Sequence, residues 1–149
     1  MFLSKLDLFL DKEKGEEKIV VEKNEKNKKY LDFLDEHSDI LDSDYKKAVF
    51  LEGILVDRLL KIQYTDKGGS TPFYSRLNGL KLNKKLIERT FTEAVNKLNE
   101  YGKNYYAALE EIIAEYMLSK NTLSDDEISY YFSLGMVLGK KFKSVEGEN

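Results

Sequence analysis

The chain has 149 residues, 42% of them hydrophobic and 34% charged, with one Pro, one His and no Cys. That size and apolar content suit one domain with a sizeable core and exclude a wholly disordered chain, while the missing Cys excludes disulfides, thiolate metal sites and cysteine nucleophiles. The net charge of −3 conceals a division into −5 over residues 1–45, +6 over 46–103 and −4 over 104–149, a basic middle between acidic flanks that suggests an anionic partner for one face.

In chain order, Phe2, Leu3, Leu6, Phe9 and Leu10 fall at helical spacing and predict a short amphipathic helix. The opening MFLSKLDLFLDKEK lacks the basic start and long apolar middle of a signal peptide. No apolar run approaches the roughly 20 residues of a membrane span, so a soluble cytoplasmic protein is expected. DKEKGEEK, around Gly15, reads as a solvated connector. From Asn24 to His37 the chain is charged but sets Tyr30, Phe33 and Leu34 on one side, which predicts a helix with a narrow apolar stripe. Residues 1–45 thus read as a charged N-terminal helical segment.

A long helix is predicted from an N-cap at Ser43 to about Tyr64. Its apolar positions, from Tyr45 through Phe50, Ile54 and Leu59 to Ile62, occupy most of the circumference, the pattern of a central helix packed on several sides. Gly53 costs about 1 kcal/mol relative to Ala there, which points to close approach by a neighbouring helix. DKGGST breaks the helix, and Thr71-Pro72 opens a short one through Leu77. Asn83 caps the next, which runs to Tyr101 and stops at Gly102. Tyr105, Leu109, Ile112, Ile113 and Tyr116 line one face of a further helix. Ser124 with Glu127 is a capping-box signature for a last helix to about Phe142. On it Gly135 and Gly139 form a flat strip where another backbone can come near. The fold expected is all-α, a compact bundle of about five to seven helices, with the core over 46–143 and a tail over 144–149.

Few residues offer chemistry. His37, in the hydrophilic string DEHSD, reads as a surface histidine. Asp125 and Asp126 are explained by the first turn of a helix, where carboxylates favour the positive end of the dipole. Glu110, Glu111 and Glu115 read as a solvated face. Lys67-Gly68-Gly69-Ser70-Thr71 is either a connector or a contact for a backbone phosphate, without the spacing of a nucleotide-binding loop. Tyr105, Tyr106, Tyr116, Tyr130 and Tyr131 read as core before base-stacking residues.

The strongest signal lies on the helix from Asn83 to Tyr101. Ile87, Phe91, Ala94, Val95 and Leu98 cluster on one side, and Lys85, Arg89, Thr92 and Asn96 fall opposite, with no carboxylate at the centre. Arg76, Lys81 and Lys84 come just upstream, and the long helix adds Arg58 and Lys61. Together with Lys67 these residues could line a groove for a sugar-phosphate backbone. The same lysines would equally serve to keep a helical surface hydrated.

Three strings carry a resemblance: AVFLEGILVDRLLKIQY, KGGSTPFYSRLNGLKLN and DEISYYFSLGMVLGKKF. Over roughly residues 46–143 the chain resembles the C-terminal region of the large subunit of the type I-B CRISPR Cascade complex. That region is also made separately, from an internal start, as the complex's small subunit. The resemblance implies a helical, non-catalytic subunit without cofactor or metal. It also implies binding to the nucleic-acid backbone that stabilises guide-directed opening of target DNA, including the displaced strand. Its implied partners are the Cascade backbone and large subunits, further copies of itself and target DNA, with guide RNA a second candidate and no membrane. The alternative is a helical protein–protein adaptor whose cations pair with an acidic protein surface.

Overall fold

A computed structural model of the chain describes residues 19–67, 82–102 and 106–139, with side chains through residue 63 in the first span. The helices expected at 2–10 and 71–77, the Gly15 connector, the side chains of Lys67, Arg76 and Lys81, and the tail lie outside the described residues. Within them the chain is all-helical: α1 (Lys28–Glu36), α2 (Asp44–Lys67), α3 (Lys84–Glu100), α4 (Ala107–Met117) and α5 (Asp125–Leu138).

Local chemistry sets the helix ends. Ser43 Oγ accepts from the backbone N–H of Lys46 at 3.3 Å, so α2 starts where its cap predicts. It continues to Lys67, past the expected end at Tyr64, because no Gly or Pro intervenes before Gly68. The Asn83 side chain accepts from Leu86 N–H at 2.9 Å. Gly102, with φ +68°, ends the turn after α3. The Ser124–Glu127 capping box is closed in both directions, at 2.9 and 3.2 Å.

α1 differs from the expected Asn24–His37 helix. Asn24 Oδ1 takes the N–H groups of Lys26 and Asn27, and Asn27 Oδ1 takes that of Asn24 at 2.7 Å. These side-chain bonds hold a turn that competes with helix, so α1 begins only at Lys28. Tyr30, Leu31 and Leu34 of α1 are buried in the same core as the later helices. The Phe33 ring stacks on Phe50 of α2 at 5.6 Å. The Asp44 carboxylate accepts from the Ile19 N–H at 2.6 Å. Residues 19–41 are therefore joined to the core by packing as well as by sequence.

α2 is the axis of the molecule, with α3, α4 and α5 against it. Phe50, Leu51, Ile54, Leu55, Val56 and Leu59 are all buried, as an all-round apolar pattern requires. The closest packing is with α5. A Cβ added to Gly53 would overlap the Phe132 carbonyl oxygen, and one added to Gly135 would overlap the carbonyl of Phe50. Both expected glycine contacts are thus two sides of one helix crossing.

Candidate nucleic-acid interface

α3 lays Ile87, Thr90, Ala94 and Leu98 into the core. The opposite side follows from helical period: Lys85, Arg89, Thr92 and Asn96 are exposed, and so is Lys84 in the first turn. Thr92 Oγ1 donates to the Glu88 carbonyl at 3.3 Å, turning its hydroxyl back on the helix. The two nearest carboxylates, Glu88 and Glu93, are half-buried at the edges of this face.

Ion pairing separates this face from the rest of the surface. Lys23 pairs with Asp32 at 2.7 Å, Lys46 with Asp42 at 2.7 Å and Lys97 with Glu100 at 3.5 Å. Lys84, Lys85 and Arg89 make no side-chain hydrogen bond or ion pair among the described residues. Lys26 and Lys120 are also unpaired, but each stands alone on another segment. Three cations within six residues, none neutralised among the described residues, can hold phosphate groups by charge and by hydrogen bond.

The two cations expected from α2 do not join them. Arg58 is a correction: it is 1% exposed, and its Nη2 donates to the Gly139 carbonyl at 2.7 Å. Helical position turns it toward the end of α5, where its stem packs and its guanidinium meets backbone. Lys61 pairs with Asp57 at 3.6 Å. It lies sixteen residues, about 160° round the helix, from Tyr45, whose hydroxyl donates to Glu88 of α3 at 3.4 Å, and so on the side of α2 away from α3. The candidate interface among the described residues is therefore the face of α3 alone.

Other sequence readings are resolved residue by residue. His37 is half-buried and stacked on Phe33 at 4.1 Å, with Nδ1 3.0 Å from the Phe33 carbonyl oxygen, more enclosed than a surface histidine. Tyr106 and Tyr116 are core residues as expected, and burial, followed by the charges of Asp44 and Asp35, pushes the Tyr116 phenol up to about 12. Tyr130 corrects the reading: it is 60% exposed, with its ring edge-on to Tyr131 at 5.0 Å. Glu111 and Glu115 are exposed, whereas Glu110 is half-buried, and burial raises its carboxyl above the ordinary range, helped by Glu111. No group of His, Asp and Glu among the described residues could hold a metal ion, and no described helix is long and apolar enough to cross a membrane.

Sequence reasoning missed Glu52. It is fully buried on α2, neither carboxyl oxygen has a hydrogen-bond partner, and burial, with the charge of Glu88 second, raises it well above its ordinary 4.5. Its signal was present: one carboxylate inside the apolar string AVFLEGILV.

Fold and surface together define an all-helical protein that presents an unneutralised cationic helix face. The chain belongs to the family described as CRISPR-associated protein TM1802 (cas_TM1802) C-terminal domain, whose profile matches residues 1–149. The match takes in the first 45 residues and the tail, beyond the 46–143 span of the resemblance. No curated protein and no solved structure matches the chain.

Proposed function

We propose that the chain is a non-catalytic subunit of a type I-B CRISPR interference complex, the small subunit or the equivalent end of the large one. It stabilises guide RNA-directed opening of target DNA by binding the nucleic-acid backbone, the displaced strand foremost, without reading sequence. The observation that carries this reading is the unpaired trio Lys84, Lys85 and Arg89 on the exposed side of α3, in a chain of a CRISPR-associated family. Guide pairing exchanges one duplex for another of similar stability, so modest contacts to the freed strand can decide the balance. Such contacts act through counterion release and weaken steeply with salt. Lys67, Arg76 and Lys81 extend the candidate set in sequence. The acidic flanks limit the isolated subunit's affinity for arbitrary DNA, and useful binding belongs to the assembled complex with its backbone and large subunits.

The test is reconstitution. Adding the purified chain to a complex that lacks it restores stable target opening, and the K85E/R89E double variant restores it poorly despite unchanged helicity. Equal restoration by the variant removes α3 from the site. No restoration by either argues against this assignment, to which the alternative is a protein-only adaptor. A gel shift at low and high salt, with and without the other subunits, separates that reading from direct nucleic-acid contact.

A further inference from the structure

The carboxylate that could neutralise the α3 face is turned away from it. Glu88 stands four residues after Lys84 and three after Lys85, within reach of both on a helix surface, yet it pairs with neither. Instead the Tyr45 hydroxyl of α2 donates to Glu88 Oε2 at 3.4 Å, holding Glu88 against the α2–α3 interface. On α2, Glu52 lies seven residues, two turns, after Tyr45 and so on the same side. It is fully buried, and no donor reaches either of its oxygens.

An ionised Glu52, fully buried with no donor on either oxygen, adds a like charge near half-buried Glu88 and costs free energy. Among the described residues, the charged group that acts on Glu52 is Glu88 on α3, and Glu52 in turn acts on Tyr45. No charged side chain of α1, α4 or α5 among the described residues acts on Glu52. A charge on Glu52 is relieved most directly by rotation of the half-buried Glu88 outward, onto Lys84 and Lys85. We infer that Glu52 is a positioning residue for the cationic face: neutral, it lets Glu88 stay turned in to Tyr45, and ionised, it drives Glu88 out to neutralise the face. The inference rests on the reading of α3 as a nucleic-acid contact and gives that contact a dependence on pH. Burial of Glu52 and its neighbour Glu88 both favour the neutral form, consistent with the inward position seen.

The test uses the full chain and a labelled single-stranded DNA of mixed sequence. Anisotropy titrations from about pH 5 to about pH 9 compare the unchanged protein with E52Q and E88Q. Affinity of the unchanged protein falls about fivefold in about 0.1 M salt as the pH rises, and its log–log salt slope shrinks by about 0.7, the worth of one phosphate on a single strand. E52Q and E88Q keep the tight value throughout. The other titrating groups are shared by all three proteins, so identical pH profiles for the unchanged protein and E52Q overturn the inference. A second readout needs no DNA: carbon NMR of the glutamate side chains, with Glu52 assigned by its loss in E52Q. Glu88 shifting in step with Glu52 supports the inference, and Glu52 ionised throughout the range sinks it. Where the isolated chain binds no DNA at any pH, the NMR result alone decides the Glu52–Glu88 coupling.

Discussion

Gly53 on α2 and Gly135 on α5 face each other so closely that a Cβ on Gly135 would stand 3.2 Å from the Gly53 Cα, besides overlapping the Phe50 carbonyl. Backbone is opposed to backbone here, and neither helix has a flexible side chain that could give way. Helix propensity alone favours Ala over Gly by about 1 kcal/mol. Overpacking usually costs about 1–3 kcal/mol, and a clash with backbone belongs at or beyond the upper end. G53A and G135A should therefore each destabilise the protein by about 2 kcal/mol or more in urea denaturation. Gly139 is the graded comparison: a Cβ there would meet Ile54 Cα at 3.3 Å, a tight contact without overlap, and side-chain atoms at 3.5 Å, so G139A should cost less than either.

These glycines show what was legible in the sequence. Gly53, Gly135 and Gly139 were each readable as small residues on a helix face, and the caps at Ser43, Asn83 and Ser124 were readable because they act over three or four residues. Which glycine meets which was not, since that depends on how two helices cross. Arg58 shows the same limit. In sequence it is one more cation in a basic stretch, and its acceptor, the Gly139 carbonyl, lies 81 residues away. The inward turn of Glu88 depends on Tyr45, 43 residues distant, and no local pattern signals it.

Arg58 yields a prediction that separates structure from contact. Losing a buried hydrogen bond from a charged donor costs about 1.5–3 kcal/mol, so R58M should lower the urea midpoint. The salt slope of nucleic-acid binding, measured where both proteins are folded, should stay the same. A reduced slope would return Arg58 to the interface.

The exposed cations predict the converse. K85E/R89E leaves the core of α3 untouched and should keep helicity and stability within about 0.5 kcal/mol. Removing two phosphate contacts should flatten the log–log salt dependence of single-strand binding by about 1.4. A slope equal to that of the unchanged protein would assign binding to other residues.

Glu52 sets the sign of the pH dependence of stability. Its folded carboxyl lies well above the ordinary 4.5, through burial first and the Glu88 charge second. Between the unfolded and folded pKa values the native state binds the extra proton, so stability is greatest on the acid side of that window. It should fall as pH rises past about 4.5, by up to about 1.4 kcal/mol per pH unit, and level off once Glu52 ionises in the folded protein. Half-buried Glu110 contributes in the same direction, so the comparison must be with E52Q, which keeps Glu110 and loses only the Glu52 term. Urea unfolding across the pH range should show the unchanged protein converging on E52Q toward acid and falling below it toward neutral and alkaline pH. Parallel curves would mean that Glu52 is as readily ionised inside the bundle as in the unfolded chain, and would remove its contribution to the pH dependence.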